Sequence, residues 1–500
     1  MKRIKRLVYL GGLYSIGSLL EKGMSFFFIP IYTTYLATAD YGIIGLMWVT
    51  VGICGKLFYP PINQGFIRHY FAPEFKDKQG LLLFNSLFFL TLQSLFFSLV
   101  FFGFSKTLAS LILNNEELIF IVQVYAVILF FHPLSEFLLT LLKQIEKAKL
   151  TVLISWAHSL IYAGTVLSGL IIFDLGVMAL VYGTLVGVVF KACCIFPTFW
   201  RESEHRVSFS VLVQPLKYGY PRIISGCSNL LIQSGDRYVL MMFSTLSSVG
   251  LYSFGYQIAG IINILIVLPL TSALLPITFK QEGDPVRQKE FLRKTCTYFY
   301  LAGMFVCLFL SLFSKEAIEI VARKEEFWGS WVVVPVIAYS YILAGLGSFF
   351  DWGLVMTKNG FRISVNVLIG ALVNIGLNFL LIPKWGIMGA AFATLCCFMV
   401  LNGLRLYCSA KFFDLHFDLA RLSHITVVGV GVYLLSLGIA NTGTMAIDLS
   451  LKFFILLSYI LIIFSTGFFT PTEKKYLQKL WDNIRLNGLR ATYAKVRALN

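Results

Sequence analysis

Residues 363–408 read ISVNVLIGALVNIGLNFLLIPKWGIMGAAFATLCCFMVLNGLRLYC, and this stretch decides the fold. Only Pro383, Lys384 and Trp385 separate its two apolar runs, 363–382 and 386–408. Each run has the length of ~20 residues that a helix needs to cross the hydrocarbon core of a bilayer. The stretch therefore predicts two membrane-spanning helices that are joined by a tight hairpin.

The rest of the 500-residue chain has the same character. Apolar residues make up 58% of it and charged residues 13%, against roughly 45–50% and about 25% in soluble globular proteins. This composition excludes a soluble enzyme, a disordered chain and a nucleic-acid-binding module. We predict an all-α integral membrane protein with fourteen transmembrane helices, at 8–36, 42–65, 81–103, 118–142, 150–173, 176–199, 218–243, 250–278, 296–314, 330–354, 363–382, 386–408, 423–440 and 449–469.

The charged residues give the orientation of these helices. The chain has 41 Lys and Arg and 25 Asp and Glu, which is a net charge of +16. If the N-terminus is cytoplasmic and the spans alternate, 30 basic residues fall in cytoplasmic segments and five in external ones. Short cytoplasmic loops typically carry such an excess. We therefore expect an even number of spans, with both termini in the cytoplasm.

An internal repeat relates two parts of the chain. Residues 173–185 (FDLGVMALVYGTL) match residues 383–395 (PKWGIMGAAFATL) at an offset of 210, and residues 41–43 match 249–251 at an offset of 208. Each match joins equivalent spans, which predicts a duplicated six-span unit. Because six is even, both copies keep one orientation, and transporters built from parallel repeats bind substrate between the halves.

The repeat divides the chain into four predicted domains. They are an N-terminal six-helix bundle (1–210), a C-terminal six-helix bundle (211–415), transmembrane helices 13 and 14 (416–470) and a basic amphipathic cytoplasmic tail (471–500).

Polar residues follow one face of the first span and one face of the seventh span, at steps of three or four. Under the repeat these two stripes coincide, which predicts one polar lumen. The basic residues expected to bind a phosphate group there are Lys22, Lys56, Arg222 and Arg237. Ser25, Asn229, Gln233 and Tyr256 are expected to line the cavity, and the buried acids Glu21 and Asp236 to couple transport to an ion.

Structural explanations for the same residues remain open. The lumen charges could instead form internal ion pairs, Glu21 with Lys56 and Asp236 with an arginine, and Arg222 could lie at the cytoplasmic interface. For the remaining polar residues we expect structural roles. His158 is expected to be a packed core residue, Glu136 and Asp351 to lie at the membrane interface, and Asn374 and Asn378 to form interhelical hydrogen bonds. The expected roles of Tyr252, Tyr256 and Gln257 are aromatic packing or stacking on sugar rings.

The sequence contains no recognisable catalytic constellation. It has no Walker A motif, no Gly-x-Ser-x-Gly and no His/Cys group with metal-site spacing. We therefore expect no enzyme activity, no cofactor and no metal, and transport that draws its energy from an ion gradient.

Several short motifs together resemble a known family. They are LATADYG at 36–42, GYP at 219–221, SGDRYVL at 234–240, VGLYS at 249–253, and the hairpins at Gly176 and Gly386. Their order and their positions on the spans resemble the Wzx-type oligosaccharide flippases, within the superfamily of multidrug, oligosaccharidyl-lipid and polysaccharide exporters. The resemblance extends over essentially the whole chain.

The resemblance implies two six-helix bundles in a V around a central cavity, with two further helices. It implies a cargo of oligosaccharide repeat units on undecaprenyl pyrophosphate, moved to the outer leaflet of the bacterial inner membrane to build O-antigen, capsule or exopolysaccharide. The other implied partners are membrane lipid, a polysaccharide polymerase and a chain-length regulator, with no nucleic acid.

Lipid II flippases belong to the same superfamily, and they use basic residues on spans 1 and 2 and an acid at the start of span 2. Lys22, Lys56 and Asp40 stand at similar positions, so the resemblance implies a gating role for Asp40. The basic positions are commonly arginine in lipid II flippases, and lysine cannot make a bidentate phosphate contact. The alternatives are a drug or small-cation antiporter, a lipid II flippase and a membrane scaffold.

Overall fold

The structure is a computed structural model, which describes residues 27–220, 222–279, 284–357, 359–412, 416–438, 444–471, 473–475 and 478. In these residues the regular secondary structure is helical and includes no strand, which confirms the all-α prediction. Eleven helices of the described chain are long and apolar enough to cross a membrane. The protein is therefore built as a multi-pass membrane protein.

Seven α-helices form the described part of the N-terminal half, residues 27–210. They are α1 (Ile29–Tyr35), α2 (Thr38–His69), α3 (Gln79–Gly103), α4 (Ser105–Leu113), α5 (Ile119–Gln144), α6 (Ala148–Ile171) and α7 (Val177–Glu202), with 3-10 turns at Pro73–Phe75, Glu116–Leu118 and Phe209–Leu212. The turn between α4 and α5 is set by two asparagines. Asn114 ends α4 with a φ of 50°, and the Asn115 side chain accepts a hydrogen bond from the Glu117 N–H.

The following part of the chain contains nine α-helices in its described residues. They are α8 (Val213–Gly219), α9 (Arg222–Ser234), α10 (Asp236–Phe243), α11 (Leu246–Ala259), α12 (Leu268–Phe279), α13 (Pro285–Val321), α14 (Val334–Phe350), α15 (Trp352–Met356) and α16 (Gly360–Ala410), with a π turn at Asn263–Val267 and a 3-10 helix at Glu325–Val333. Two more helices follow, α17 (Leu419–Leu437) and α18 (Met445–Ser465).

The predicted spans correspond to these helices, but several are interrupted. The eighth predicted span (250–278) contains the π turn at Asn263–Val267, and the tenth (330–354) is divided at Asp351 between α14 and α15. The seventh predicted span is divided at Gly235 into α9 and α10. The predicted spans at 363–382 and 386–408 form one element, α16, whose backbone is non-helical at Gly386. Most of the first predicted span lies outside the described residues, so the total of fourteen stays a prediction.

The two hairpin glycines adopt the same unusual backbone conformation. Gly176 has φ 52° and ψ −134°, and Gly386 has φ 53° and ψ −129°. A side chain disfavours this region of φ, so glycine is required at both turns. The structure therefore repeats a local geometry at the offset of 210 residues where the sequence repeats.

Helices α2 and α11 cross at a second pair of glycines that the repeat relates. A Cβ atom on Gly42 would overlap the carbonyl oxygen of Leu246, and one on Gly250 would overlap that of Thr38. The contact is reciprocal, because Leu246 and Thr38 each lie four residues before the glycine of their own helix. Glycine lets the two backbones approach this closely, as small residues do at helix crossings in membranes.

The chain divides into two compact units, Met1–Pro276 with Ser314–Leu415 and Ile277–Phe313 with His416–Asn500. The N-terminal half therefore belongs to the first unit, and we use "C-terminal half" for residues 211–276 and 314–412 of that unit. The domain boundaries predicted from the sequence stay predictions, and most of the predicted tail lies outside the described residues.

The second unit is held together beyond α18 by Glu473. Its carboxylate accepts hydrogen bonds from the Thr470 N–H at 2.7 Å and the Tyr298 hydroxyl at 2.8 Å, and it lies 3.3 Å from Nη1 of Arg421. Burial alone would raise the pKa of Glu473, but these hydrogen bonds and the Arg421 charge outweigh it and lower the pKa to about 2. Glu473 is therefore ionised at neutral pH and ties α13 and α17 to the segment after α18.

Candidate functional site

The first unit encloses a cavity of about 620 Å³. Its wall is formed mainly by α1, α2, α5, α6 and α7 of the N-terminal half, and α9, α10 and α11 of the C-terminal half complete it. Ligand pockets in proteins typically have volumes of ~300–1,000 Å³. The cavity thus has the size of a binding site and lies where the two halves meet.

Two of the predicted site residues line this cavity, Arg237 and Asp40. The Nε atom of Arg237 donates a hydrogen bond to the Ser253 hydroxyl at 3.1 Å. Asp40 lies in the first turn of α2, where its carboxylate accepts a hydrogen bond from the Ala37 N–H at 2.8 Å. This bond also stabilises the start of the helix, because the first N–H groups of a helix have no partner within it.

Asp236 lies behind Arg237 and is fully buried. Its Oδ2 atom accepts hydrogen bonds from the Tyr252 hydroxyl and, at 3.4 Å, from the Thr394 hydroxyl. Its Oδ1 atom lies 3.5 Å from Nη1 of Arg237. Asp236 and Arg237 therefore form a close pair, which balances the positive charge that Arg237 brings to the cavity wall.

Lys56 and Arg222 lie away from this cavity, in the zone where α2 faces α9. Both side chains are exposed. Arg222 donates hydrogen bonds to Gln64 of α2 at 2.8 Å and to the Tyr218 hydroxyl at 2.7 Å. Lys56 packs over Gly226, one turn along α9 from Arg222. We call this zone the α2–α9 face, and it carries two cations for which the structure shows no carboxylate partner among the described residues.

The other predicted site residues have different surroundings. Asn229 and Gln233 are exposed on α9, and the Asn229 side chain donates to the Ser225 carbonyl of its own helix at 2.8 Å. Tyr256 is buried, and its ring lies 4.9 Å from the Arg237 guanidinium. Glu21, Lys22 and Ser25 lie outside the described residues. The sequence prediction placed all of these in one lumen, and the described ones occupy two regions.

Asn374 and Asn378 bond to each other along α16, with 3.0 Å between Nδ2 of Asn378 and Oδ1 of Asn374. These two side chains were expected to form interhelical hydrogen bonds. This hydrogen bond instead lies within α16.

A charge pair that the sequence reasoning missed lies in the cavity wall. Nζ of Lys191 on α7 is 2.7 Å from Oε1 of Glu136 on α5. The Lys191 side chain is 9% exposed and that of Glu136 35%. Glu136 is therefore the more exposed member of the pair, and the Lys191 side chain is almost completely buried.

A signal for this pair was present in the sequence. Glu136 lies six residues from the predicted end of its span at 142, and Lys191 lies eight residues from the predicted end of its span at 199. Both spans run toward the same side of the membrane, so the two charges were at nearly the same depth. A search for opposite charges at matched depth would have paired them.

Histidine and aromatic side chains surround the pair. His132, His158, Trp48 and Tyr162 all line the cavity. The rings of Trp48 and His132 meet edge to face with 6.1 Å between their centroids. His158 packs on α7, where its ring is the nearest neighbour of Gly187. His158, predicted to be a core residue, thus belongs to the cavity wall.

The C-terminal half holds a similar pair in a tighter place. Nε of Arg405 on α16 lies 3.1 Å from Oδ2 of Asp351, and their side chains are only 10% and 13% exposed. Nη1 of Arg405 donates to the Asn402 side chain at 3.3 Å. A Cβ atom on Gly347 would overlap the guanidinium. This pair is packed into the protein and is not part of the cavity wall described above.

Several solved structures of membrane transporters have a similar fold. A lipid II flippase MurJ in an inward-closed conformation matches with a TM-score of 0.72 and 12% identity, over 91% of this chain and 99% of that one. An inward-facing multidrug resistance MATE transporter of the MOP superfamily matches with a TM-score of 0.66 and 15% identity, over 81% and 95%. The Vibrio cholerae MATE transporter VcmN matches with a TM-score of 0.58 and 15% identity, over 81% and 96%. These likenesses establish the fold.

Sequence comparison adds the family. No curated protein sequence gives a significant match. The family model described as "Polysaccharide biosynthesis protein" matches residues 34–325, which is more than half of the chain and includes every helix that lines the cavity except α1. The chain belongs to this polysaccharide biosynthesis protein family and is a helical membrane protein with the fold of the MOP-superfamily transporters.

Proposed function

We propose that the protein is a flippase for oligosaccharide repeat units linked to undecaprenyl pyrophosphate. It moves them from the cytoplasmic to the outer leaflet of the bacterial inner membrane, for the synthesis of O-antigen, capsule or exopolysaccharide. The observation that carries the proposal is the cavity of about 620 Å³ where the two halves meet, in a chain of the polysaccharide biosynthesis family. The polysaccharide polymerase and the chain-length regulator are its proposed partners.

The pyrophosphate group is proposed to bind at the α2–α9 face. Lys56 and Arg222 are exposed there, and Arg222 is held in place by Gln64 and Tyr218. Arginine and lysine are the usual ligands of phosphate groups in proteins. Lys22 is proposed to add a third cation. Arg237 contributes a weaker attraction, because Asp236 lies beside it.

The architecture proposed for transport is a duplicated six-span unit, followed by two further spans, with both termini in the cytoplasm. The matched backbone at Gly176 and Gly386 supports the duplication. The reciprocal crossing at Gly42 and Gly250 supports a symmetric contact about which the halves could rock. Such rocking would open the cavity to each side of the membrane in turn.

Ion coupling is proposed to act through Asp236, with Glu21 as a second candidate. Asp236 is buried within the first unit, and Oδ1 accepts no hydrogen bond from the described residues. A carboxylate in such a place can take up a proton or a cation during the transport cycle. Asp40, at the start of α2 and in the cavity wall, is the proposed gating residue.

Lipid II is the second candidate cargo. It is favoured by the fold match to the lipid II flippase MurJ, which extends over 91% of this chain. The lysine at position 56 argues against it, since commonly an arginine fulfils this role in the lipid II flippases and lysine lacks the bidentate phosphate contact.

The proposal is tested with purified protein in proteoliposomes that carry a fluorescent undecaprenyl-pyrophosphate oligosaccharide in one leaflet. We expect wild type to move the lipid, and Lys56→Ala/Arg222→Ala to move it at least about tenfold more slowly. Lys147→Ala, which removes an exposed cation from the turn between α5 and α6, is the control. Movement of lipid II alone would assign the second cargo, and export of organic cations without lipid movement would contradict the proposal.

A further inference from the structure

The charge balance of the cavity differs from that of the α2–α9 face. Four charged residues line the cavity, the acids Asp40 and Glu136 and the bases Lys191 and Arg237. Lys191 is paired with Glu136 and Arg237 with Asp236. A pyrophosphate would therefore meet no unpaired cation among the described residues of this wall. The cavity suits an uncharged part of the cargo better than a charged one.

The carboxylate of Glu136 is oriented for hydrogen bonding to a ligand. Its Oε1 atom accepts from the almost completely buried ammonium of Lys191, which fixes the side chain in place. The Glu136 side chain lines the cavity and is 35% exposed, against 9% for that of Lys191. An ionised carboxylate only accepts hydrogen bonds, so a ligand with O–H groups is a suitable partner.

Two further polar atoms of the cavity-lining residues have no partner in the described part of the chain. They are Nδ1 of His158 and the hydroxyl of Tyr41, and both atoms are buried. Buried polar atoms are normally hydrogen-bonded, so each of them indicates a missing partner, either water or a ligand.

An aromatic surface lies beside these polar groups. The Trp48 side chain is part of the cavity wall and is 44% exposed, and the edge of the His132 ring supports it. A pyranose ring has an apolar C–H face and a rim of hydroxyls. It can therefore cover an exposed indole while its hydroxyls reach a carboxylate and an imidazole.

We propose that this part of the cavity is a subsite for uncharged sugar rings, in which Glu136 accepts hydrogen bonds from sugar hydroxyls and Trp48 stacks against a ring face. The inference rests on the proposed function and extends it by dividing the cargo between two regions. The sugars lie against the N-terminal half, and the pyrophosphate lies on the α2–α9 face.

The test measures equilibrium binding to the full-length protein in nanodiscs. The two probes are undecaprenyl pyrophosphate, and the undecaprenyl-pyrophosphate repeat unit that accumulates in cells lacking this protein. Glu136→Gln keeps the size of the side chain and an acceptor for Lys191, and Trp48→Ala removes the stacking surface. Trp156→Ala is the matched control, because Trp156 on α6 is 39% exposed and is not part of the cavity wall.

We expect Glu136→Gln and Trp48→Ala each to weaken binding of the sugar-bearing lipid by about tenfold or more and to leave the affinity for bare undecaprenyl pyrophosphate unchanged. Trp156→Ala should change neither affinity. A cooperative melting transition well above the assay temperature would establish that the variants are folded.

Wild-type affinity of both variants for the sugar-bearing lipid would overturn the subsite, as would an equal loss of affinity for both lipids. Binding of tetraphenylphosphonium by wild type that is lost in Glu136→Gln would assign the cavity to organic cations and also overturn it. If wild type bound neither lipid, the proposed function itself would fail. Failure of the subsite alone differs from this, because wild type would then still bind the sugar-bearing lipid.

Discussion

Two of the acid–base pairs among the described residues, one in each half of the molecule, lie in different surroundings. Glu136 and Lys191 lie in the cavity wall, where the Glu136 side chain is 35% exposed. Asp351 and Arg405 lie 215 and 214 residues further along the chain, close to the repeat offset, and are 13% and 10% exposed. A carboxylate paired with a basic side chain thus lines the cavity in one half and forms an internal contact in the other.

The difference follows from what surrounds each basic side chain. The guanidinium of Arg405 is packed against Gly347 and bonded to Asn402, so little space remains for a ligand. Lys191 is buried behind Glu136, and the space beyond the carboxylate is empty of protein atoms. The neighbours of each pair therefore decide which of the two carboxylates is accessible.

The largest expected effect is on the packed pair. Arg405→Met leaves Asp351 buried without its partner, and breaking a buried pair in this way costs about 3–5 kcal/mol. We expect a large fall in the melting temperature of the purified protein. Restoring neutrality with Arg405→Met/Asp351→Leu should recover much of the loss. A single variant as stable as wild type would contradict the role of this pair as an internal contact.

The crossing of α2 and α11 gives the next effect. Gly250→Ala places a methyl group on the Thr38 carbonyl oxygen, and overpacking of this kind costs about 1–3 kcal/mol. Gly55→Ala in α2, where no described atom lies within 4 Å of the new methyl, is the control and should be neutral or slightly stabilising. The two are compared by thermal unfolding in detergent. Equal melting temperatures would show that the helices do not need this close approach.

Substitutions of the hairpin glycines test whether the two turns have the same backbone conformation. Gly176→Ala and Gly386→Ala each force a side chain into a conformation with φ near 52–53°, which costs about 1–3 kcal/mol. No described atom lies within 4 Å of either new methyl, so strain alone should act and the two losses should be equal within error. A loss at one position only would indicate that the repeat is not preserved at these turns.

The smallest stability effect is expected at the open pair. Lys191→Met leaves Glu136 without its cation, but the carboxylate faces the cavity and can be hydrated there. We expect a loss of stability less than half of that in Arg405→Met, measured in the same unfolding assay. The exposed pair of Lys147 and Glu202, 3.5 Å apart, serves as the reference for a surface ion pair. Lys147→Met should change the free energy of unfolding by less than about 1 kcal/mol. An equal loss for Lys191→Met and Arg405→Met would remove the distinction between the pairs.

Some features were predictable from the sequence because they depend on local composition. Hydrophobic length predicted the helical class, and the matched motifs predicted equivalent hairpins at Gly176 and Gly386. The structure adds that the two glycines share one backbone conformation. The glycines at 42 and 250 were recognised as equivalent, but their mutual contact was not foreseen, because a contact between distant helices leaves no periodic pattern.

The candidate site was less predictable, because a polar stripe gives the face of a helix but not what it faces. The stripe of the seventh span predicted one lumen. In the structure its exposed residues Arg222 and Asn229 lie on α9, while Arg237 lines the cavity. The pairing of Glu136 with Lys191 was missed since each residue was judged alone, without regard to depth in the membrane.

The most direct test of the account is the rate of lipid-linked oligosaccharide movement per folded molecule in proteoliposomes, measured for Glu136→Gln and Asp351→Asn side by side. The account predicts that Glu136→Gln loses about tenfold or more in rate per folded molecule, and that Asp351→Asn moves lipid at close to the wild-type rate per folded molecule. Equal rates in the two variants, or a rate loss confined to Asp351→Asn, would contradict it.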